Sequence, residues 1–284
     1  MVKDRVVGAF IRFRGCKRPG IVAFVPQRFM SDSMDLRRLF EEWPFDAAAD
    51  LRTVCGDDGR ELLQVRTPLG IEQYEVDGRP DGRRPHDMES ALEFQLARLV
   101  DARAAGEEAE FKINADDCVE LFDEGVLYYY RYVRFFQLKD WTRTARDTAR
   151  NLRVFDLVRR YAKRAEDRTQ LEQWRPYVVR MNTMARAMMA LDNRQHEAAL
   201  QIVTEAVEGI ESLPEMDNPT FQFERDRSLT ALHDLAKQIE RERPLSDVER
   251  LQRELRAAVE SEQFERAAEL RDRLRALQTK ADVA

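Results

Sequence analysis

The feature that most constrains this chain is a change of period at one point. Residues 61–76, "ELLQVRTPLGIEQYEV", alternate as strands do, and "DGRPDGRRPH" then packs Gly78, Pro80, Gly82 and Pro85 into ten residues. That density of breakers ends a strand. After Met88 the apolar residues recur with helical spacing. The prediction is a small β-hairpin turning at Pro68 and Gly70, a rigid loop, and then helices. Arg79, Arg83 and Arg84 in the loop would face an anion if the loop binds one. Gly and Pro are also what a plain connector requires, and a connector is the simpler reading.

Leu92, Leu96, Leu99 and Val100 mark one helix face, and the polar break "AAGEEAE" precedes Asn114, a predicted N-cap for a helix through Leu138. Further helices are predicted at about 141–165, 170–191, 194–212 and 220–242, with Pro176 starting or kinking one of them. "QLKDWTRTARDTARNL" and "ALDNRQHEAALQIVTEAV" both show a polar turn and then small residues, Thr144 and Ala145 in the first, Ala198 and Ala199 in the second. This is similar to tetratricopeptide hairpins. The segments lie about 54 residues apart, whereas that repeat has a period of about 34, and an irregular helical bundle has the same packing needs.

With 35% charged and 43% hydrophobic residues the composition is that of a globular chain, and a net charge of -6 argues against wholesale coating of nucleic acid. No run approaches the ~20 apolar residues of a membrane span, and Arg12 and Arg14 interrupt "VVGAFIRFRG" before it resembles an export signal. A cytoplasmic setting is expected, and the singly placed Cys16, Cys55 and Cys118, in polar or amphipathic surroundings, fit a reducing one. Residues 1–33, with Met30 and Met34 as alternative starts, are expected to be poorly ordered or outside the natural product. His86, His196 and His233 are isolated, so no metal is assigned. No phosphate-cradling loop, dinucleotide fingerprint, HExxH pair or nucleophile elbow occurs. Acidic pairs such as Asp116 and Asp117 are expected on solvated helix faces. The chain reads as non-enzymatic and without a cofactor.

One charge pattern stands out. Arg143, Arg146, Arg150, Arg153, Arg160 and Arg164 fall along one side of a predicted helix, with Trp141, Ala145, Leu152 and Phe155 on another. Arg131 and Arg134 lie among aromatics in "YYYRYVRFF". Such a stripe binds nucleic-acid phosphates or an acidic protein surface, or it is a solvated face paired with acidic neighbours.

Beyond Pro244 the pattern sharpens. Ser246 and Glu249 have capping-box spacing. Val248, Leu251, Leu255 and Ala258 form a narrow apolar seam, and after "ESEQ" a second helix carries Phe264, Ala267, Leu270, Leu274 and Leu277 on a similar one. Ala257, Ala258, Ala267 and Ala268 are small where two antiparallel helices cross. Phe264 is expected to fold over the turn. Glu262 with Arg266, and Glu269 with Arg273, have favourable helical spacing. The segment is shorter than the ~40 residues at which a chain folds unaided, so its seam should dock on another pair of helices.

Leu251, Leu255 and Ala258, followed by "QFERAAELRDRLRAL" with Phe264, Glu265, Ala267, Ala268, Leu270, Arg271, Asp272 and Leu277, resemble the UVR motif. That motif is shared by the B and C subunits of the bacterial excinuclease, some Clp ATPases and the activator of the protein arginine kinase. The resemblance covers about an eighth of the chain. It implies a helical hairpin for protein–protein association, with DNA repair as one setting, and it places Arg271 and Asp272 near the docking surface. Val259 stands where a second alanine is common and is expected to widen the crossing slightly. The Walker motif, nuclease signature and paired cysteines of those relatives have no counterpart here.

The expected architecture is mainly α: an N-terminal segment over 1–50, a β-hairpin and loop over 51–86, a helical-repeat-like bundle over 87–243 and a two-helix hairpin over 244–280. The expected function is an adaptor that binds another protein, or itself, through Leu251, Leu255, Ala258, Phe264, Ala267, Ala268, Leu270, Arg271, Asp272 and Leu274. The alternatives are a nucleic-acid accessory factor using Arg143, Arg146, Arg150 and Arg153, or an adaptor of a Clp-type quality-control system.

Overall fold

The computed structural model describes residues 36–244 and 247–281. The readings on residues 1–33 and on the Ser246 cap lie outside the described residues, as does the side chain of Leu277.

A short helix α1 (Arg37–Glu42) precedes three strands, β1 (Leu51–Cys55), β2 (Glu61–Thr67) and β3 (Gly70–Glu75), paired antiparallel in the order β1-β2-β3. The predicted hairpin is β2 and β3, with Pro68 and Leu69 as its loop and Thr67 opposite Gly70. Strand β1 was not predicted, because five residues ending at an exposed cysteine carry too little alternation. Alternation puts Leu63, Val65, Tyr74 and Val76 on one face, where they bury against Phe135. The other face is tied to α1: the Arg66 guanidinium lies 4.1 Å from the Phe40 ring and its Nε donates to the Trp43 carbonyl at 2.8 Å.

Helix α2 (Ala91–Ala104) starts at Ser90, whose hydroxyl accepts from the Glu93 N–H at 3.2 Å. Its buried stripe is Ala91, Leu92, Gln95 and Leu99, and Val100, predicted on that face, is 61% exposed. The stripe continues from Leu92 through Gln95 to Leu99 in steps of three and four, and Val100 falls to its solvent side. Helix α3 (Ala115–Gln137) is capped by Asn114 as predicted, and α4 (Trp141–Tyr161) by Asp140. Each such cap is worth about 1 kcal/mol.

The predicted 141–165 helix ends earlier, because Ala162 is extended and its strand-like bridge to Ile113 diverts the chain. A short helix α5 (Ala165–Gln170) follows, and α6 (Arg175–Asp192) starts with Pro176 in its first turn. Helices α7 (His196–Glu211) and α8 (Pro219–Glu242) complete the body, the latter capped by Asn218.

In the body α3 packs on α4, α4 on α6 and α6 on α7, while α8 covers both α6 and α7. One core cluster joins α2, α3 and α4 through residues such as Leu92, Leu121 and Val158, and a second joins α6, α7 and α8 through Ala187, Val203 and Leu232. Cys118 belongs to the first cluster rather than to polar surroundings, and burial pushes its thiol up to about 12. Among the described residues no helix is long and apolar enough to cross a membrane.

Candidate interaction site

The C-terminal pair is α9 (Asp247–Glu260) and α10 (Phe264–Ala281). The turn between them is closed by backbone bonds from Ser261 N to Ala257 O, Glu262 N to Val259 O and Gln263 N to Ala258 O, with Glu262 in the left-handed region at φ 57°. This is a Schellman-type closure. The same set of bonds closes α3–α4 around Lys139 (φ 58°) and α6–α7 around Arg194 (φ 60°). Five residues beyond each left-handed residue stands a small buried one, Thr144, Ala199 and Ala267. The C-terminal hairpin therefore repeats a construction used twice in the body.

Inside the hairpin Ala258, Ala267 and Leu270 are buried, with Leu251 and Leu255 packed partly against them. Ala268 and Leu274 are half-buried, whereas Ala257 is exposed and takes no part in the crossing. Phe264 does not fold over the turn: it is 69% exposed. Val259 is 52% exposed, so it projects from the hairpin instead of widening the crossing. Glu262 belongs to the turn, outside α10, and among the described residues neither Glu262–Arg266 nor Glu269–Arg273 forms an ion pair. Arg271 and Asp272 are both exposed, with Nε 3.4 Å from a carboxylate oxygen. None of the buried residues of this cluster belongs to the body.

Among the described residues the arginines of the stripe are paired with carboxylates. Arg143 reaches Glu61 at 2.6 Å and Asp140 at 3.0 Å, and Arg146 reaches Asp77 at 2.6 Å and Asp147 at 2.9 Å. Arg150 contacts Glu124, and Arg153 lies 3.5 Å from Glu93. Arg160 pairs with Glu108 and Arg164 with Asp167; Arg164 lies beyond the end of α4 and so outside the stripe. Arg131, read as an aromatic-flanked cation, is buried with both terminal branches on Asp147 or on the Glu75 and Gly78 carbonyls. Arg131, Arg143 and Arg146 join α3 and α4 to the sheet and its following loop.

The signal that sequence reasoning missed is Val259. It follows the seam residue Ala258 by one position, which turns it off the seam, and together with Phe264 it leaves apolar surface exposed at the turn end of the hairpin. No curated protein and no solved structure matches the chain. Residues 248–280, the hairpin just described, match the UVR family model, the UvrB/uvrC motif.

Proposed function

We propose that the chain is a non-enzymatic, cytoplasmic adaptor whose helical body presents the UVR hairpin to a second pair of helices. The observation that carries this reading is the exposure of Phe264 and Val259 beside a seam that, among the described residues, buries Ala258, Ala267 and Leu270. A two-helix unit with so small a core gains most by covering its remaining apolar surface, and helix-on-helix docking does this without unpaired backbone groups. Phe264 is the anchor, Val259 adds exposed apolar surface at the same turn end, and the exposed Arg271 and Asp272 further along α10 favour partners with complementary charge. The motif's relatives work in excision repair and in Clp systems, and these are the two partner settings to separate.

The test is association of the full chain before and after Phe264→Asp, read by light scattering and by pull-down. The expected result is loss of association with an unchanged far-UV circular dichroism spectrum. Association that survives the substitution would remove Phe264 from the reading, and survival in Val259→Asp as well would remove the hairpin face. Capture of excinuclease subunits supports the repair setting, and capture of a Clp ATPase supports quality control.

A further inference from the structure

A cleft of about 320 Å³ opens beside the loop that follows β3, lined by Arg60, Arg79, Arg83, Arg84 and by Glu61, Glu75, Asp77 and Glu89. The loop is fixed before any ligand arrives. Arg131 donates to the Glu75 and Gly78 carbonyls at 2.8 Å each, Tyr128 donates to Gly78 at 3.2 Å, and Arg146 donates to the Val76 carbonyl at 2.6 Å. Gly78 and Gly82 take φ of 64° and 69°, and a Cβ on Gly82 would meet Glu75 at 3.3 Å, so the backbone path depends on glycine there.

The lining has equal numbers of each charge, but the two signs are not equally engaged. Glu61 is held by Arg143 at 2.6 Å, Asp77 by Arg146 at 2.6 Å and Glu75 by Arg60 at 3.0 Å. Two of the three loop arginines are less committed. Arg84 has no ion-pair partner among the described residues, and Arg83 is 82% exposed and 3.8 Å from Asp81. Arg79, by contrast, is largely buried and forms ion pairs with Glu124 at 3.2 Å and Asp81 at 3.4 Å. Arg83 and Arg84 thus bring little-engaged guanidinium groups to a cleft that also holds Glu89, a carboxylate without an ion-pair partner among the described residues.

We infer that this cleft binds a small phosphate ester, its phosphate held by Arg83 and Arg84. A guanidinium presents paired donors that match phosphate oxygens, and two of them together can engage the three free oxygens of a phosphate ester. Glu89 is a negative charge in the same cleft and opposes binding of an anion.

The experiment is calorimetric titration of the full chain at low ionic strength with inorganic phosphate, a mononucleotide and phosphoserine. Saturable binding of at least one is expected, weakened by about tenfold or more in the exposed double variant Arg83→Gln/Arg84→Gln, since each charge-assisted bond lost removes a substantial part of a weak affinity. Glu89→Gln should tighten the same binding severalfold, a direction that partial unfolding cannot imitate. The tightest of the three ligands then says whether the phosphate arrives on a nucleotide or on a modified side chain. No saturable binding of any of them, or equal binding in the folded double variant, overturns the inference.

Discussion

Glu124 shows how much of this molecule rests on single buried charges. Its carboxylate is fully buried on α3, accepts the Ala91 and Leu92 N–H groups at 2.8 and 3.2 Å where α2 begins, and lies against Arg79 and Arg150. One side chain therefore satisfies the start of a helix and neutralises two largely buried cations. Removing one partner of a buried pair leaves an uncompensated charge and typically costs ~3–5 kcal/mol. Glu124→Gln is expected to destabilise the body by an amount in that range in urea unfolding. A loss below about 1 kcal/mol would show that the network is solvated and dispensable. None of this was legible from sequence, because Glu124 and Arg150 stand on different helices and their spacing carries no pattern. The sequence did show the arginines, and what it lacked was the position of the sheet and loop that engage them.

At the scale of elements, caps and periods were readable where local chemistry decides them. Asn114 and Pro176 act where the sequence placed them, because an N-cap acceptor and a proline in the first turn need no tertiary partner. Val100 and the far end of α4 were misread because burial of Gln95 and the Ile113–Ala162 bridge are tertiary facts. The repeated turn was half visible: the small pairs Thr144–Ala145 and Ala198–Ala199 were set side by side at a spacing of about 54, whereas the shared hydrogen bonds align Thr144 with Ala199 and bring in Ala267. Lys139, Arg194 and Glu262 are 55 and 68 residues apart, so the turn recurs without a constant repeat length. Each of these residues holds a left-handed conformation that costs an L-residue ~1–2 kcal/mol and costs glycine little. Lys139→Gly and Arg194→Gly should each stabilise the body by about 0.5–1 kcal/mol in thermal unfolding, after glycine's greater unfolded-state entropy is allowed for. A lowered midpoint in both would mean that the long side chains, not the backbone, hold these turns.

At the scale of the whole molecule, the cores are separate and unequal. The clusters of the body draw on several helices each, whereas the hairpin cluster has three buried residues from α9 and α10 alone. A segment of that size lacks the burial that independent folding requires, and regions with few buried contacts open at low free energy. Amide exchange across α9 and α10 is therefore expected to run far ahead of exchange in α4 and α6. Binding of a partner to the ordered hairpin stabilises it by mass action, so protection there should rise with partner, or with protein concentration if the partner is a second copy. A chain truncated after Pro244 should keep the body's unfolding midpoint while losing every partner captured through the hairpin. If truncation instead lowers the midpoint by more than about 1 kcal/mol equivalent, the hairpin is covered by its own body, and the apolar face around Phe264 belongs to folding rather than to association.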